Sequence, residues 1–456
     1  MNWTVVQRIL GLLLMLFSLT MLPPIAFSLF YDDHSWLPFI EGFAITFAAG
    51  LVCWLPVHRS KKDLRLRDGF LVVAAFWTVL GTAGAAPLYF ADALSLSFTD
   101  AVFESMSGLT TTGATVLTGL DELPRSILYY RQQLQWLGGM GIIVLAVAVL
   151  PMLGVGGMQL YRAETPGPVK DTKLTPRITE TAKALWYVYL AFTIACMVGY
   201  RIAGMGWFDA LCHAFSTVAI GGFSTHDASI AYFDSAAIDL VAVFFMFAAG
   251  INFSLHFFAW RYVSVKHYLQ DQEFRAYAFI LMSVSVVVTA SLFYYRGFDA
   301  PVDTFLDGVF QSVSIATTTG FTTDGFALWP AALPVLLIFM SFIGGSAGST
   351  AGGIKVIRWL LVYKQGLREI VRLVHPSAEI PVKLGNNAVP HRVVDAVWGF
   401  FSVNIIVYGV LLVLLMATGL DQVTAFSAVA AALNNLGPGL GDVSSGFMSL
   451  SDPAKW

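Results

Sequence analysis

The sequence predicts an all-α polytopic membrane protein with four like units around one axis. Three observations carry this. Of its 456 residues, 57% are hydrophobic and only 12% charged. A soluble domain carries about 25% charged residues, so this chain has too little polar surface to cover a globule. Apolar runs long enough to cross a bilayer, about 20 residues each, recur along its length. Between them lie four short strings rich in glycine, serine and threonine that share one pattern.

The apolar runs fall at 5–27, 38–57, 69–90, 134–154, 184–204, 236–260, 276–296, 331–361 and 393–419. The first is too long for the apolar core of a signal peptide and has no small-residue cleavage site after it, so it is expected to be retained. The loops alternate in charge. Arg59, Lys61, Lys62, Arg65 and Arg67 crowd one; Arg162, Lys170, Lys173, Arg177 and Lys183 the stretch 158–183; Arg261, Lys266 and Arg275 the stretch 261–275; Lys355, Arg358, Lys364, Arg368, Arg372 and Lys383 the stretch 355–383. The loops between carry Asp32, Asp33, Asp209, Asp227, Asp299, Asp303, Asp307, Asp421 and Asp442. Positive loops stay inside, which places the N-terminus in the cytoplasm and the polar strings toward the outer face. The basic connectors 158–183 and 362–392 suit a cytosolic partner and lipid headgroups equally well. The net charge of −3 and the lack of a basic tract exclude a nucleic-acid partner. Cys53, Cys196 and Cys212 are too scattered for a disulfide framework or a metal site.

The four strings are SGLTTTGAT, FSTVAIGGFST, SIATTTGFTT and ALNNLGPGL. They align on Gly113, Gly222, Gly320 and Gly437, roughly a hundred residues apart, which is an internal repeat. A segment too short to span precedes each, beginning near Asp100, Asp209, Asp303 or Asp421, where an acid can cap or charge a helix N-terminus. The unit is thus span, short re-entrant helix, polar string, span. The expected units are 69–154, 184–260, 276–361 and 393–456. Irregular backbone at membrane depth is tolerated only where protein buries it or a watery cavity is lined by it. Four strings meeting on one axis satisfy that condition. A ring of backbone carbonyls can replace the hydration shell of a monovalent cation, glycine allows the left-handed backbone this requires, and no string carries the carboxylate a hard divalent ion prefers.

The eighth run is interrupted by FIGGSAGSTAGGIKVIR. Gly344, Gly345, Gly348, Gly352 and Gly353 each weaken a helix by about 1 kcal/mol relative to alanine, so this run is expected to break and line the path as a gate. GSTAGGIK is not a phosphate-binding loop, because Ile354 stands between the glycine and Lys355. Lys355 reads either as an anchor at the inner helix end or as a cation-repelling plug. Glu104 reads either as an acid near the outer mouth that concentrates cations or as a hydrogen-bond partner of a neighbouring string; Asn252 is placed to hydrogen-bond a neighbouring helix, and His213, His226 and His256 show no ligand spacing. No paired acids, Ser/His pair or metal set lies within the spans, so no enzyme is expected.

TTTGATV, AIGGFSTHD, TTTGFTT and LNNLGPGLG, with LQWLGGMGIIVLAVAVLP and the interrupted eighth run, resemble the Trk/Ktr/HKT potassium transporter superfamily over essentially the whole chain. The resemblance implies four M1–pore helix–M2 repeats around a pseudo-fourfold pore, preceded by an extra two-helix transmembrane hairpin at 1–57, with K+ as the transported ion, no organic cofactor, a homodimer in the bacterial inner membrane, and a cytosolic TrkA-like nucleotide-binding ring as regulatory partner. It assigns the ion-facing carbonyls to Thr111 and Thr112, Ile220 and Gly221, Thr318 and Thr319, and Asn435 and Leu436. Glycine at all four register positions implies potassium over sodium. The family also has a closing M2 helix with an inward-facing arginine. Here the fourth unit lacks one before the sequence stops at SDPAKW, so a fragment or truncated chain is expected.

Overall fold

The computed structural model describes residues 2–59, 66–141, 178–330, 332–385 and 387–456. Among them the chain is almost wholly helical, with one two-stranded antiparallel ladder, β1 (Lys383–Leu384) with β2 (Asn387–Ala388). Helix α1 (Trp3–Ser18) passes through one 3-10 turn into α2 (Leu22–Tyr31), making a single apolar run, and α3 (Trp36–Trp54) returns beside it. Lipid offers no hydrophobic drive to pair helices, so close backbone approach must do it. Gly11 of α1 and Gly50 of α3 supply that approach: a Cβ on either would lie 2.8 Å from the other's carbonyl oxygen.

Helices α4 (Leu66–Gly84) and α5 (Ala86–Phe90) lead to the first short helix, α6 (Phe98–Leu109), capped by the Ser97 hydroxyl. After the first string comes α7 (Arg125–Trp136). Apolar counting opens this span only at 134. The turns it misses, RSILYYRQQ, carry polar residues that pack against protein rather than lipid: Arg131, Gln132 and Gln133 are all buried. A π-type turn at Leu137–Gly141 follows, wedging Gly138 against the Leu109 carbonyl and Gly139 against Ala219. Most of the span expected over 134–154, and the connector 158–183 as far as residue 177, lie outside the described residues.

The second unit comprises α8 (Ile178–Ala203), the short helix α9 (Trp207–Ala219), α10 (Ala236–Ala249) and α11 (Phe253–Tyr262). The single span expected over 236–260 is instead two helices meeting at 95°. Asn252 explains the corner. Its side chain accepts from the Ser254 amide at 2.8 Å and so caps α11, rather than bridging two helices as expected. The backbone freed at the corner is re-used, because Gly250 accepts from the Ser346 amide at 2.9 Å and the Phe253 amide donates to Gly348 at 3.0 Å.

Next come α12 (Lys266–Gln270), α13 (Gln272–Arg296), the short helix α14 (Pro301–Ala316), α15 (Leu333–Ser341) and α16 (Val356–Val374). The run expected over 331–361 is broken between α15 and α16. Residues 362–374, read as connector, continue α16 as an amphipathic helix, with Leu361 buried and Ile370 and Leu373 exposed. The fourth unit has α17 (His391–Ala417), the short helix α18 (Gln422–Asn434) and α19 (Asp452–Lys455). Asp421 caps α18 through the Val423 and Thr424 amides. Asp100, Asp209 and Asp303 sit in the first turns of α6, α9 and α14, complementing the helix dipole. Lys455 of α19 pairs with Asp100 at 2.7 Å.

Among the described residues six helices are long and apolar enough to cross a membrane, or seven if the bent pair is one span. The short helices lie inside this shell. Ile9, Phe39, Leu80 and Tyr130 pack around α6; Tyr189, Met246, Phe257 and Phe310 around α9; Val288, Leu337 and Leu436 around α14 and α18. The opposite faces of the long helices, such as Val403, Ile405 and Val413 on α17, are exposed, as lipid-facing residues are.

Candidate functional site

Each short helix ends in the same way. Thr111, Ile220, Thr318 and Asn435 hold φ of 58°, 54°, 70° and 56°, in the left-handed region. Two residues later Gly113, Gly222, Gly320 and Gly437 hold φ of 80°, 80°, 85° and 86°. Thr112, Gly221, Thr319 and Leu436 between them are not left-handed. Alternation of this kind turns successive peptide groups to the same side of the chain. The sequence pointed to the glycines; it gave no sign that β-branched Thr111, Ile220 and Thr318 would share the left-handed region, where each costs about 1–3 kcal/mol. The helix ends hold them there. The amides of Thr112, Gly221, Thr319 and Leu436 reach back to the carbonyls of Ser107, Ser216, Ser314 and Ala431 at 2.8–2.9 Å, the long bond of a Schellman-type C-cap.

The four strings touch in cyclic order. A Cβ on Gly113 would collide with the Gly221 carbonyl oxygen, one on Gly222 with that of Thr319, and one on Gly320 with that of Leu436. A Cβ on Gly437 would lie 2.9 Å from the Thr112 carbonyl oxygen, which closes the circle. All twelve string residues singled out in the sequence are therefore brought together. Their side chains follow a two-fold rather than a four-fold plan. Thr110 pairs with Thr112, and Thr317 with Thr319, each hydroxyl to hydroxyl at 2.8 Å. The other two strings have Ala219 and Gly221, and Asn434 and Leu436, in those places.

A buried ion pair braces the first two strings from behind. The Arg131 guanidinium meets the Glu104 carboxylate at 2.7 Å, with the two side chains 1% and 0% exposed. Arg131 also donates to the Ser224 carbonyl at 3.2 Å and to the Thr115 hydroxyl at 3.1 Å, and lies 4.3 Å over the Phe223 ring. Glu104 further accepts from the Val116 amide at 2.9 Å. Glu104 thus hydrogen-bonds its own string and, through Arg131, is tied to the next. Arg131 and Gln135 were not anticipated. Their signal was present as two polar residues four apart, on one helix face, at the mouth of an apolar run.

The Gly-rich break between α15 and α16 lies against the strings on the other side. Gly344, Gly348 and Gly353 take positive φ, and so does Lys355 at 82°. Gly345 and Gly352 do not; they are there for space, since a Cβ on Gly352 would collide with the Asn434 carbonyl oxygen. The Gly352 amide donates to the Thr318 hydroxyl at 2.7 Å and the Gly353 amide to Asn434 at 3.0 Å. The Thr350 hydroxyl reaches the carbonyls of Val218 at 2.9 Å and Ala249 at 3.3 Å. This loop therefore contacts the ends of α9, α14 and α18. Lys355 folds its ammonium back onto the Ala351 carbonyl. Glu273 of α13, also unanticipated, accepts from the Ala347 amide at 2.7 Å and the Ile357 amide at 3.2 Å, pinning both sides of the break.

Beyond the strings, His226 joins two units. Its ring bonds Asp121, which follows the first string, lies 3.5 Å from Asp209 of α9, and stacks on Tyr232. His213 is buried and bonds the Ser224 hydroxyl and the Asp209 carbonyl, each at 2.9 Å; His256 bonds Tyr268 and the Ala248 carbonyl. No cluster of three or more His, Cys, Asp or Glu side chains able to hold a metal is found among the described residues.

Two expectations follow from these contacts. Replacing Arg131 by methionine strands the Glu104 charge in the interior. It should cost about 3–5 kcal/mol, read as a large drop in the thermal midpoint of the detergent-purified protein. Burial opposes charge on His226, but Asp209 and Asp121 outweigh it, so its pKa is raised. Its stabilisation should be complete below its unfolded value of about 6.5 and lost as pH climbs through the raised value. Thermal melts across that range should show the loss, and His226→Gln should flatten it.

Residues 37–455 match the TrkH family, described as a cation transport protein. The chain is 59% identical to the Trk system potassium uptake protein TrkH of Vibrio parahaemolyticus, covering 100% of this chain and 94% of that one. It is 53% identical to the protein of the same name from Escherichia coli strain K12, with the same coverage. The crystal structure of the potassium transporter TrkH from Vibrio parahaemolyticus superposes with a TM-score of 0.91 at 56% identity, over 100% of this chain and 94% of that one. The chain belongs to the TrkH family of cation transport proteins.

Proposed function

We propose that this chain takes up potassium across the bacterial inner membrane through the ring of four strings. The observation that carries this is the cyclic contact of Gly113, Gly222, Gly320 and Gly437 with their neighbours' carbonyl oxygens, together with the shared alternation of backbone hand. A ring of carbonyls replaces water around a monovalent cation, and with no carboxylate in the strings a hard divalent ion gains little there. Thr111, Thr112, Ile220, Gly221, Thr318, Thr319, Asn435 and Leu436 supply the oxygens. Each short helix also aims its C-terminal, negative end at the ring. The names of the relatives, all Trk system potassium uptake proteins, support K+ as cargo.

The loop with Gly344, Gly345, Gly348, Gly352, Gly353 and Lys355 is the gate. It lies against three of the four helix ends, held by Thr350 and Glu273. Loop charges put the N-terminus in the cytoplasm. The hairpin 1–57 and the four units are the organising parts, the working form is a homodimer, and a cytosolic TrkA-like nucleotide-binding ring acts through the basic inner loops.

Rescue of a potassium-uptake-deficient bacterium tests the path. Wild type should restore K+ or Rb+ uptake, and its failure would sink the function. Gly113→Ser and Gly320→Ser should each cut the K+:Na+ ratio roughly tenfold, because the new Cβ meets a ring carbonyl; unchanged ratios would remove the ring from the ion path. Thr350→Val should release the loop by about 1 kcal/mol, a roughly fivefold gain in open population seen as faster Rb+ flux. An unaltered flux would show that this anchor does not hold the gate.

A further inference from the structure

Gly221 is the odd member of its ring layer, where the other strings carry Thr112, Thr319 and Leu436. Glycine is usually placed for its backbone freedom. That does not apply here, because the left-handed residues of this string are Ile220 and Gly222, and Gly221 is not one of them. What the glycine leaves is space, and another helix fills it. A Cβ on Gly221 would collide with Cδ of Gln135, a fully buried residue of α7. Three hydrogen bonds hold that amide in place. Its Oε1 accepts from the Ser216 hydroxyl at 2.6 Å and from the Phe223 amide at 3.1 Å, and its Nε2 donates to the Gly221 carbonyl at 2.6 Å.

We propose that Gln135 is a specificity-setting positioning residue: its amide stands in for the side chain Gly221 lacks and fixes the second string's ring carbonyl. This rests on the strings being the ion path. Among the described residues no hydrogen bond reaches the carbonyl oxygens of Thr112, Thr319 or Leu436. The Gly221 oxygen alone shares its lone pairs with a donor at 2.6 Å. Cavity size and the field strength of the coordinating carbonyls both bear on which ion is preferred, and an amide that pins and weakens one carbonyl acts on both, making a tuned quarter of the ring. One turn earlier on α7, Arg131 binds Ser224. A single helix of the first unit thus sets the second string at Gly221, Phe223 and Ser224.

The test is a side-chain swap in the full chain. Gly221→Thr gives the second string the residue its counterparts carry, Gln135→Ala empties the space beside it, and the double variant does both. Gly221→Thr should lower K+ uptake roughly tenfold by collision with Gln135. Gln135→Ala should lower the K+:Na+ ratio severalfold. The double variant should recover K+ uptake, because the threonine occupies the vacated volume. Wild-type behaviour of Gly221→Thr, no recovery in the double variant, or an unchanged ratio in Gln135→Ala would each overturn the proposal. Should Gly221→Thr not fold, the thermal midpoint of purified Gln135→Ala in K+ against Na+ decides: the extra protection by K+ should shrink, and an unaltered difference overturns it. Gly113→Ser, run alongside, separates the two ideas. If it shifts the ratio while the swap shows nothing, only the role of Gln135 falls; if it too shifts nothing, the ion path itself is misplaced.

Discussion

Each string's glycine lies so close to the next string's carbonyl that no Cβ fits between them, and this constraint organises the rest of the molecule. To bring four backbones that close, the chain must reverse abruptly at each short helix end. The reversal puts three β-branched residues into an unfavourable conformation, and a set of long capping hydrogen bonds restrains them. The elements described around the strings then hold four irregular segments in place. The long helices exclude lipid, the Arg131–Glu104 pair ties the first string to the second, and the Gly-rich loop occupies the remaining side.

Much of this was legible in the sequence because it is written in composition. Glycine at four register positions and the small polar residues around it announced the strings. The run of glycines in the eighth apolar segment announced its break, and charge in the loops followed the spans. What stayed hidden is what hydropathy cannot register. The turns from Ser126 to Gln135 look too polar to belong to a membrane helix, yet they face protein and are buried throughout. The corner at Gly250–Asn252 carries one glycine and one asparagine, too little to signal a break. It exists because the third unit's loop provides bonding partners for the opened backbone, and those partners are nearly a hundred residues away in sequence.

The ring is four-fold in its backbone and two-fold in its side chains. Strings one and three each carry a threonine pair beside the carbonyl layer. Strings two and four fill the same positions in other ways, with Gln135 from α7 and with Leu436. A duplicated unit can keep its backbone only while neighbouring contacts hold it, whereas its side chains drift freely as long as volume is conserved. Differences among the four quarters are therefore concentrated where one unit supports another, and Gln135 is the clearest case.

The contact between Thr112 and Asn435 spans 323 residues of chain. It joins the first string to the last, so the circle cannot close until nearly the whole chain has been made. Chains are synthesised from the N-terminus and their parts settle as they emerge. During that interval three strings wait without their fourth neighbour. The buried Arg131–Glu104 pair needs neither the third string nor the fourth, so it can form before the last quarter of the ring arrives.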